Sequence, residues 1–416
     1  MVPEGSPEAD VEQDFESYCT KALEELIAIP TVNPPGDKYY DCARYIEGEL
    51  SDAGLETKIL SVPEKFLDSY YPYSPAHRGR ARPIVYAWLG EGEPSIHFNG
   101  HYDVVPPGAG WSRDPFAPVV TDGKMFGRGS TDMKAGLACM LGCARWAAEN
   151  RSKLKGKAEF SFVPDEESGG VGSRFLVTQI KPAARTLIAE PTYPHLQIGH
   201  KGIVRGLVKV GGKQVHGSTP WLGVNAFVKA AETAVVFLNE YQRILESRRT
   251  MFDTLWPEGV HPTVNLGGFA ESASKKDNVV PGEFSFSVDR RTLPEEDLDQ
   301  VVAEVESGLQ KSAKQVGSKL EFSVTSAVRG SYTPATSSYV QECLEAVRKT
   351  GTESPRLLLS TGRDDGVFFR EMGSAAVTYG PGVEAVAHSA DEYVPLSQLG
   401  RVLEAYTGIL RDFCMI

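Results

Sequence analysis

Apolar positions along the chain follow two rhythms, and the rhythm changes twice. Leu23, Leu26 and Ile27 fall at helical spacing and predict a helix over 15–29 that stops before Pro30. The first ten or so residues show no such rhythm and read as a solvated tail. A second helix is predicted over 39–53, closed by Gly54, a residue type that ends helices in the left-handed conformation. Residues 55–62, 83–89 and 95–99 read as strands, the last alternating Ile96 and Phe98 with polar neighbours. Segment 66–82 mixes aromatic and basic residues and reads as an irregular insertion. A helix rich in small residues follows over 132–150, then a buried-type strand over 157–163 and a short one over 187–189. Strands alternating with helices predict a mostly parallel twisted sheet with helices on both faces.

Near Gly206 the period becomes two. Residues 207–212, 264–269 and 283–290 alternate as antiparallel strands do, with long helical patterns over 223–248 and 295–316 and a last strand closing near Val324. This strand–helix–strand–strand–helix–strand order is that of an α+β, ferredoxin-like module. The α/β rhythm then resumes with a helix over 337–349, a strand over 357–359, a helix over 365–371, a strand over 375–379 and a helix over 397–413. The simplest architecture is one discontinuous α/β domain, 1–205 and 326–416, with a smaller domain, 206–325, inserted into it. No internal repeat or low-complexity segment is visible.

Composition narrows the function. A chain of 416 residues is too long for one ordinary core, so two domains are expected. A net charge of −12 argues against nucleic acid and anionic membrane surfaces as partners. No apolar run approaches the length of a membrane span. The acidic start, M-V-P-E-G-S-P-E-A-D, lacks the basic and apolar regions of a signal peptide. Six cysteines in a chain this long do not make a disulfide framework, and Cys139 and Cys143 sit in an apolar helix where packing is their use. A reducing cytoplasm fits this usage.

Candidate chemistry gathers at predicted strand ends, where α/β proteins place ligands. His101, Asp132, Glu166, Glu167, Glu190 and His388 form a carboxylate and imidazole set without thiolates. Such a set suits two divalent ions, zinc first, with cobalt or manganese as substitutes. Asp103, two residues after His101, points the same way on an extended chain and can take the second ring N–H. Alone, H-x-D is as readily a surface turn, and E-E as readily a solvated loop. Here E-E follows the apolar strand K-A-E-F-S-F-V-P and precedes S-G-G. One glutamate can then ligate metal while the other takes a proton. G-G-V-G at 169–172 lacks the lysine of a phosphate loop, and neither H-E-x-x-H nor G-x-S-x-G occurs.

Five separated segments, G-H-Y-D-V-V, G-R-G-S-T-D-M-K, D-E-E-S-G-G, A-E-P-T and A-H-S-A-D-E, occur in one order. With H-G-S-T-P-W-L-G-V-N-A and N-V-V-P-G-E…D-R-R, they make the chain resemble the dinuclear zinc family of acetylornithine deacetylase, succinyl-diaminopimelate desuccinylase, aminoacylase and glutamate carboxypeptidase, from about Leu26 to Tyr406. The resemblance implies a zinc-peptidase-like catalytic domain with an inserted lid. It also implies hydrolysis of the amide bond of an N-acyl amino acid, with a dipeptidase or carboxypeptidase as alternative and a non-catalytic homologue as the third reading. His101 and Glu190 would hold one zinc, Glu167 and His388 the other, and Asp132 would bridge them. Glu166 would be general base and acid, and Asp103 would support His101. His216 and Asn278 in the lid would meet substrate, and Arg291, two after Asp289, would hold a substrate carboxylate. The peptide bond between Asp132 and Met133 would be cis. A cytoplasmic homodimer formed through the lid is implied as well. One departure stands out. S-T-G-R-D-D-G carries Arg363 and Asp364 where desuccinylases tend to have small hydroxyl residues. These two are the candidates for setting the substrate, and they leave the acyl group open.

Overall fold

The computed structural model of the chain describes residues 7–415. Part of the expected tail lies outside them, and Pro7 already begins the first helix, Pro7–Ala28. The chain divides into two units, one made of residues up to 199, 333–358 and 364–416, the other of 200–332 and 359–363.

The first unit is built on one large sheet. Its strands run in the order Glu56–Ser61, Pro83–Gly90, Lys157–Val163, Ser95–His101, Arg185–Ile188, Ala375–Thr378 and Leu196–His200. The four central strands pair in parallel, whereas both flanks are antiparallel. The sheet is therefore mixed: a parallel centre, as expected, with reversed edges. Residue patterns report which faces are buried, not the direction of the neighbouring strand, so the reversal was not readable.

All seven residues of Ser95–His101 are buried, polar ones included. His97 and Asn99 lie opposite Glu159 and Ser161. His97 Nε2 sits 2.6 Å from Ser161 Oγ, and Asn99 Nδ2 donates to the same oxygen at 2.9 Å. The alternation thus marks a buried polar row whose members bond one another in part, with His97 Nδ1 and Asn99 Oδ1 left without a hydrogen bond among the described residues.

Two details set the approach to the site. The helix Ala135–Glu149 begins against the strand end at Ala189, and a Cβ on Gly136 would collide with the Ala189 carbonyl. Lys134, fully buried, donates its ammonium to the carbonyls of Leu26 and Ile29, both at 2.8 Å. It thereby adds a second donor to carbonyls at and just after the end of the first helix. Segment 66–82 is less irregular than expected, for it opens with a helix, Glu64–Tyr70.

The second unit carries a four-stranded antiparallel sheet, Thr263–Ser272, Glu283–Thr292, Gly202–Gly211 and Lys319–Val328 in that order. Helices Ala226–Glu246 and Leu298–Val316 start on Asn225 and Asp297, whose side chains accept the first orphan N–H groups. Val204, Val208, Phe237, Val288, Val305 and Leu309 close the core between helices and sheet. No helix among the described residues is long and apolar enough to cross a membrane.

Candidate metal centre

His101 ends a central strand, and the parallel neighbour Lys157–Val163 leads into the turn carrying Glu166 and Glu167. Glu190 follows the next parallel strand, Arg185–Ile188. Parallel strands point their carboxyl ends one way, so three distant parts of the chain meet at one edge.

Asp132 stands in the middle. One of its oxygens lies 3.2 Å from His101 Nε2, and the other lies 3.2 Å from His388 Nε2. Glu190 approaches His101 Nε2 at 3.3 Å, and Glu167 approaches His388 Nε2 at 2.9 Å. The ligand atoms of His101, Asp132 and Glu167 lie within 4.8 Å of one another, as do those of His101, Glu166 and Glu190. The bond from Asp132 to Met133 is cis.

Burial and charge pull against each other here. Burial drives the Glu190 carboxyl up to about 8, against the pull of His101. Burial, with the Asp132 charge, drives Glu167 up to about 7. Glu166 is held well above its usual range by burial and by the carboxylates of Asp365, Glu190 and Glu167. Burial works on Asp132 too, but hydrogen bonds to both imidazoles outweigh it and hold this carboxyl well below its usual range. Hydrogen bonds to Asp132 and Glu167 raise His388 to about 11. Burial would lower His101, yet Glu190, Asp103 and Asp132 hold it well above its usual value.

This donor chemistry fits divalent cations. Four carboxylates and two imidazoles converge, and two doubly charged ions would balance the four negative charges. All donors are nitrogen or oxygen, with no thiolate among them, as borderline and hard divalent ions prefer.

The supporting residues differ from expectation in one respect. His101 Nδ1 faces the backbone carbonyl of Asp103 at 3.0 Å, with the Asp103 carboxylate farther away at 3.5 Å. That carboxylate instead accepts the backbone N–H of Glu166 at 3.1 Å and of Glu167 at 3.2 Å. Asp103 therefore aims both the imidazole and the glutamate turn.

The family model for the peptidase family M20/M25/M40 matches residues 97–412, a span containing every one of these residues. The chain belongs to this family. It is 30% identical over 405 residues to acetylornithine deacetylase of Myxococcus xanthus, covering 94% of this chain and 96% of that one. It is 28% identical over 380 residues to succinyl-diaminopimelate desuccinylase of Gluconobacter oxydans, covering 87% and 93%. Human carnosine dipeptidase 1 shares its fold, with a TM-score of 0.75 at 19% identity and 98% of each chain covered.

Sequence reasoning overlooked one anchor of this M20 site. Glu392 is fully buried and accepts backbone N–H groups of Gly129 at 3.0 Å, Thr131 at 2.9 Å and Asp132 at 3.0 Å. It also pairs with buried Arg128, whose other nitrogen donates to the carbonyl of His388 at 3.2 Å. One ion pair thus ties the loop of Asp132 to the loop of His388. Glu392 lies within the A-H-S-A-D-E segment, but its spacing says nothing of which N–H groups it meets.

The other expected residues have partners of their own. Asp364 is 5% exposed and accepts from Thr378 Oγ1 at 2.6 Å, Gly366 N at 3.0 Å and Arg370 at 3.2 Å. These bonds bind it into the fold of the first unit. Its neighbour Asp365 is the one whose charge acts on Glu166.

The remaining candidates belong to the second unit. His216 is exposed, and its Nδ1 lies 2.7 Å from Ser218 Oγ and 3.1 Å from Ser218 N, which holds the ring with Nε2 on the other side. Gly217 N donates to the carbonyl of Asn278 at 2.8 Å, bringing His216 and Asn278 together. Arg291 grips Asp289 through Nε at 2.8 Å and is 31% exposed, whereas Arg290 is wholly buried. Arg363 ends the short segment 359–363.

Proposed function

We propose that this M20 protein is a hydrolase that cleaves the amide bond of an N-acyl amino acid with the aid of two divalent ions. The ions are zinc, with cobalt or manganese as substitutes. His101 and Glu190 would hold one, Glu167 and His388 the other, and Asp132 both. The observation that supports this most is Asp132 itself, with one oxygen facing each imidazole at 3.2 Å.

The ions, when bound, would lower the pKa of the attacking water and polarise the scissile carbonyl. Glu166, left over when the ligands are assigned, takes a proton from that water and hands it to the leaving amine. Asp103 fixes the ring of His101 and aligns both glutamates through their N–H groups. His216, its Nδ1 engaged with Ser218, is assigned to the developing oxyanion through Nε2, a contribution usually worth about a hundredfold or more in rate. Asn278 is assigned to substrate beside it, and Arg363 to substrate selection. Asp364, engaged within the fold, is set aside.

Arg291 supports a second reading. Its guanidinium already holds the Asp289 carboxylate, and a peptide's terminal carboxylate offers the same geometry. A dipeptidase or carboxypeptidase is therefore the alternative. All six cysteines are free and buried, which supports a reducing, cytoplasmic setting. A homodimer through the second unit completes the reading.

The test is metal content together with hydrolysis of a panel of N-acyl amino acids and dipeptides, with and without chelator. About two ions per chain and chelator-sensitive deacylation are expected. Turnover of dipeptides alone would move the assignment to a peptidase. A folded protein with neither ions nor turnover would leave a non-catalytic homologue.

A further inference from the structure

Behind the glutamate turn lies a buried polar network that reaches the proposed chemistry only through Asp103. Asn33 is at its centre and 1% exposed. Its amide nitrogen donates to Asp103 Oδ2 at 2.9 Å and to Asp165 Oδ1 at 3.1 Å. Its amide oxygen accepts from the Tyr71 hydroxyl at 2.8 Å. Asp165 also accepts from Tyr39 at 2.9 Å and from Arg82 Nε at 2.7 Å, with both ends of that ion pair fully buried. Asp165 takes a positive φ of 64°, and its carbonyl accepts the N–H of Gly170 at 2.8 Å, closing the turn that holds Glu166 and Glu167.

We infer that Asn33 is a positioning residue for the Glu166–Glu167 turn, acting through Asp103 and Asp165. Asp103 holds the two glutamate N–H groups, and Asp165, through its carbonyl, closes the turn that encloses them. Left adjacent without a donor between them, these two buried carboxylates would repel and separate. A carboxamide is the side chain that offers two N–H donors to a carboxylate pair and still presents an acceptor behind. Tyr71 takes that acceptor and so fixes which way the amide points. Gly36, at φ 94°, lets the same loop close over Arg82, where a Cβ would strike the guanidinium. The inference gains its functional meaning from the hydrolase reading, in which Glu166 moves the proton and Glu167 holds an ion.

The experiment uses Asn33→Ala and the milder Tyr71→Phe, which keeps the ring and deletes only the hydroxyl. The first readout is hydrogen exchange of the metal-free protein over 164–170. Asn33→Ala should speed exchange of the Glu166 and Glu167 amides about tenfold or more, and Tyr71→Phe less. The helix Ser397–Cys414 should exchange as in the wild type. The second readout is cobalt affinity and the visible spectrum of the cobalt form. Affinity should fall about 10–100-fold in Asn33→Ala, as for other residues that orient ligands. In turnover, kcat should drop with KM nearly unchanged. If Asn33→Ala does not fold, Tyr71→Phe decides. Unaltered exchange at 164–170 in the folded variants would overturn the inference whether or not the protein binds metal. Altered exchange in a protein that binds no cobalt would uphold the positioning role and overturn the hydrolase reading alone.

Discussion

Replacing Glu392 with glutamine should loosen the site from behind. The carboxylate is fully buried and serves four donors: the guanidinium of Arg128 and the N–H groups of Gly129, Thr131 and Asp132. Glutamine keeps one acceptor oxygen, enough for Thr131 and Asp132. Its NH2 group then faces Gly129 N–H and Arg128, donor against donor. Burial raises the Glu392 carboxyl, while the N–H of Gly129 and Arg128 pull it back. Such a pair gains little net stability when intact, yet breaking it leaves Arg128 charged and unmatched, at a cost of about 3–5 kcal/mol. Unfolding entropy of about 2.1 cal/mol/K per residue gives the 416-residue chain about 0.9 kcal/mol/K. If the chain melts as one, the melting temperature should fall about 3–6 °C. Because the same side chain fixes the backbone of Asp132 and, through Arg128, that of His388, metal affinity should fall about 10–100-fold as well. Calorimetry with equilibrium dialysis checks both. The double variant with Arg128→Met should lose less than the two single changes summed, since it removes the unmatched charge. A melting temperature within about 1 °C of the wild type, with unchanged metal affinity, would refute this account.

Three further expectations separate roles within the site. Glu166→Gln should keep both ions and bind substrate while kcat falls about 10²–10⁴-fold, whereas Glu167→Gln should lose metal affinity and recover activity in part with added zinc; the opposite pattern would swap the two roles. Asp132→Ala should disturb both ions and Asp103→Ala should weaken one more mildly, as read by metal analysis. Metal binding should release protons measurable by calorimetry in buffers of different ionisation heat, because His388, Glu167 and Glu190 hold protons near neutral pH that a cation displaces. The sign for the metal-free protein follows from the same groups. Glu167 and Glu190 bind more protons folded than unfolded from about pH 4.5 up to about 7 and about 8, and His388 does so from about 6.5 up to about 11, so stability should fall as pH rises through these windows, and added zinc should reverse the trend.

How much was legible depended on how local the signal was. His101, Asp132, Glu167, Glu190 and His388 follow strands or glycine turns within short segments, and they gather into one cluster. The parallel centre of the sheet was readable because its strands alternate with helices. The supports were not. Asn33 lies 70 residues before Asp103 and 132 before Asp165, and Arg82 lies 83 before Asp165. No pattern inside 30–36 or 66–82 announces those partners, so both stretches read as loop. The donors of Asp364, Arg370 and Thr378, were not readable for the related reason that they come from a helix and a strand whose packing is tertiary. The alternation within Ser95–His101 marked a strand but not the partners of its polar residues, since sequence does not show that Ser161 waits opposite.

These supports share a logic that bears on how the site works. Gathering four carboxylates in a buried place is unfavourable on its own, and a loose loop would relieve it by swinging them apart. The chain prevents that at two points. On one side the Arg82–Asp165 pair, with Asn33, pins the turn of Glu166 and Glu167. On the other the Arg128–Glu392 pair pins the loops of Asp132 and His388. Each pair is an internal salt, so neither adds net charge to the cluster, and each directs donors at backbone rather than at the ligand oxygens. The two pairs thus hold the carboxylates close without themselves neutralising them; in the metal-free protein protons on Glu167, Glu190 and His388 do so in part, and it is these that cations would displace. At a hundredfold excess over its dissociation constant, each independently bound ion would return about 2.7 kcal/mol to the folded state. A site arranged this way has its geometry set before the ions arrive. Substitutions in the two pairs should therefore lower metal affinity even where every ligand is intact.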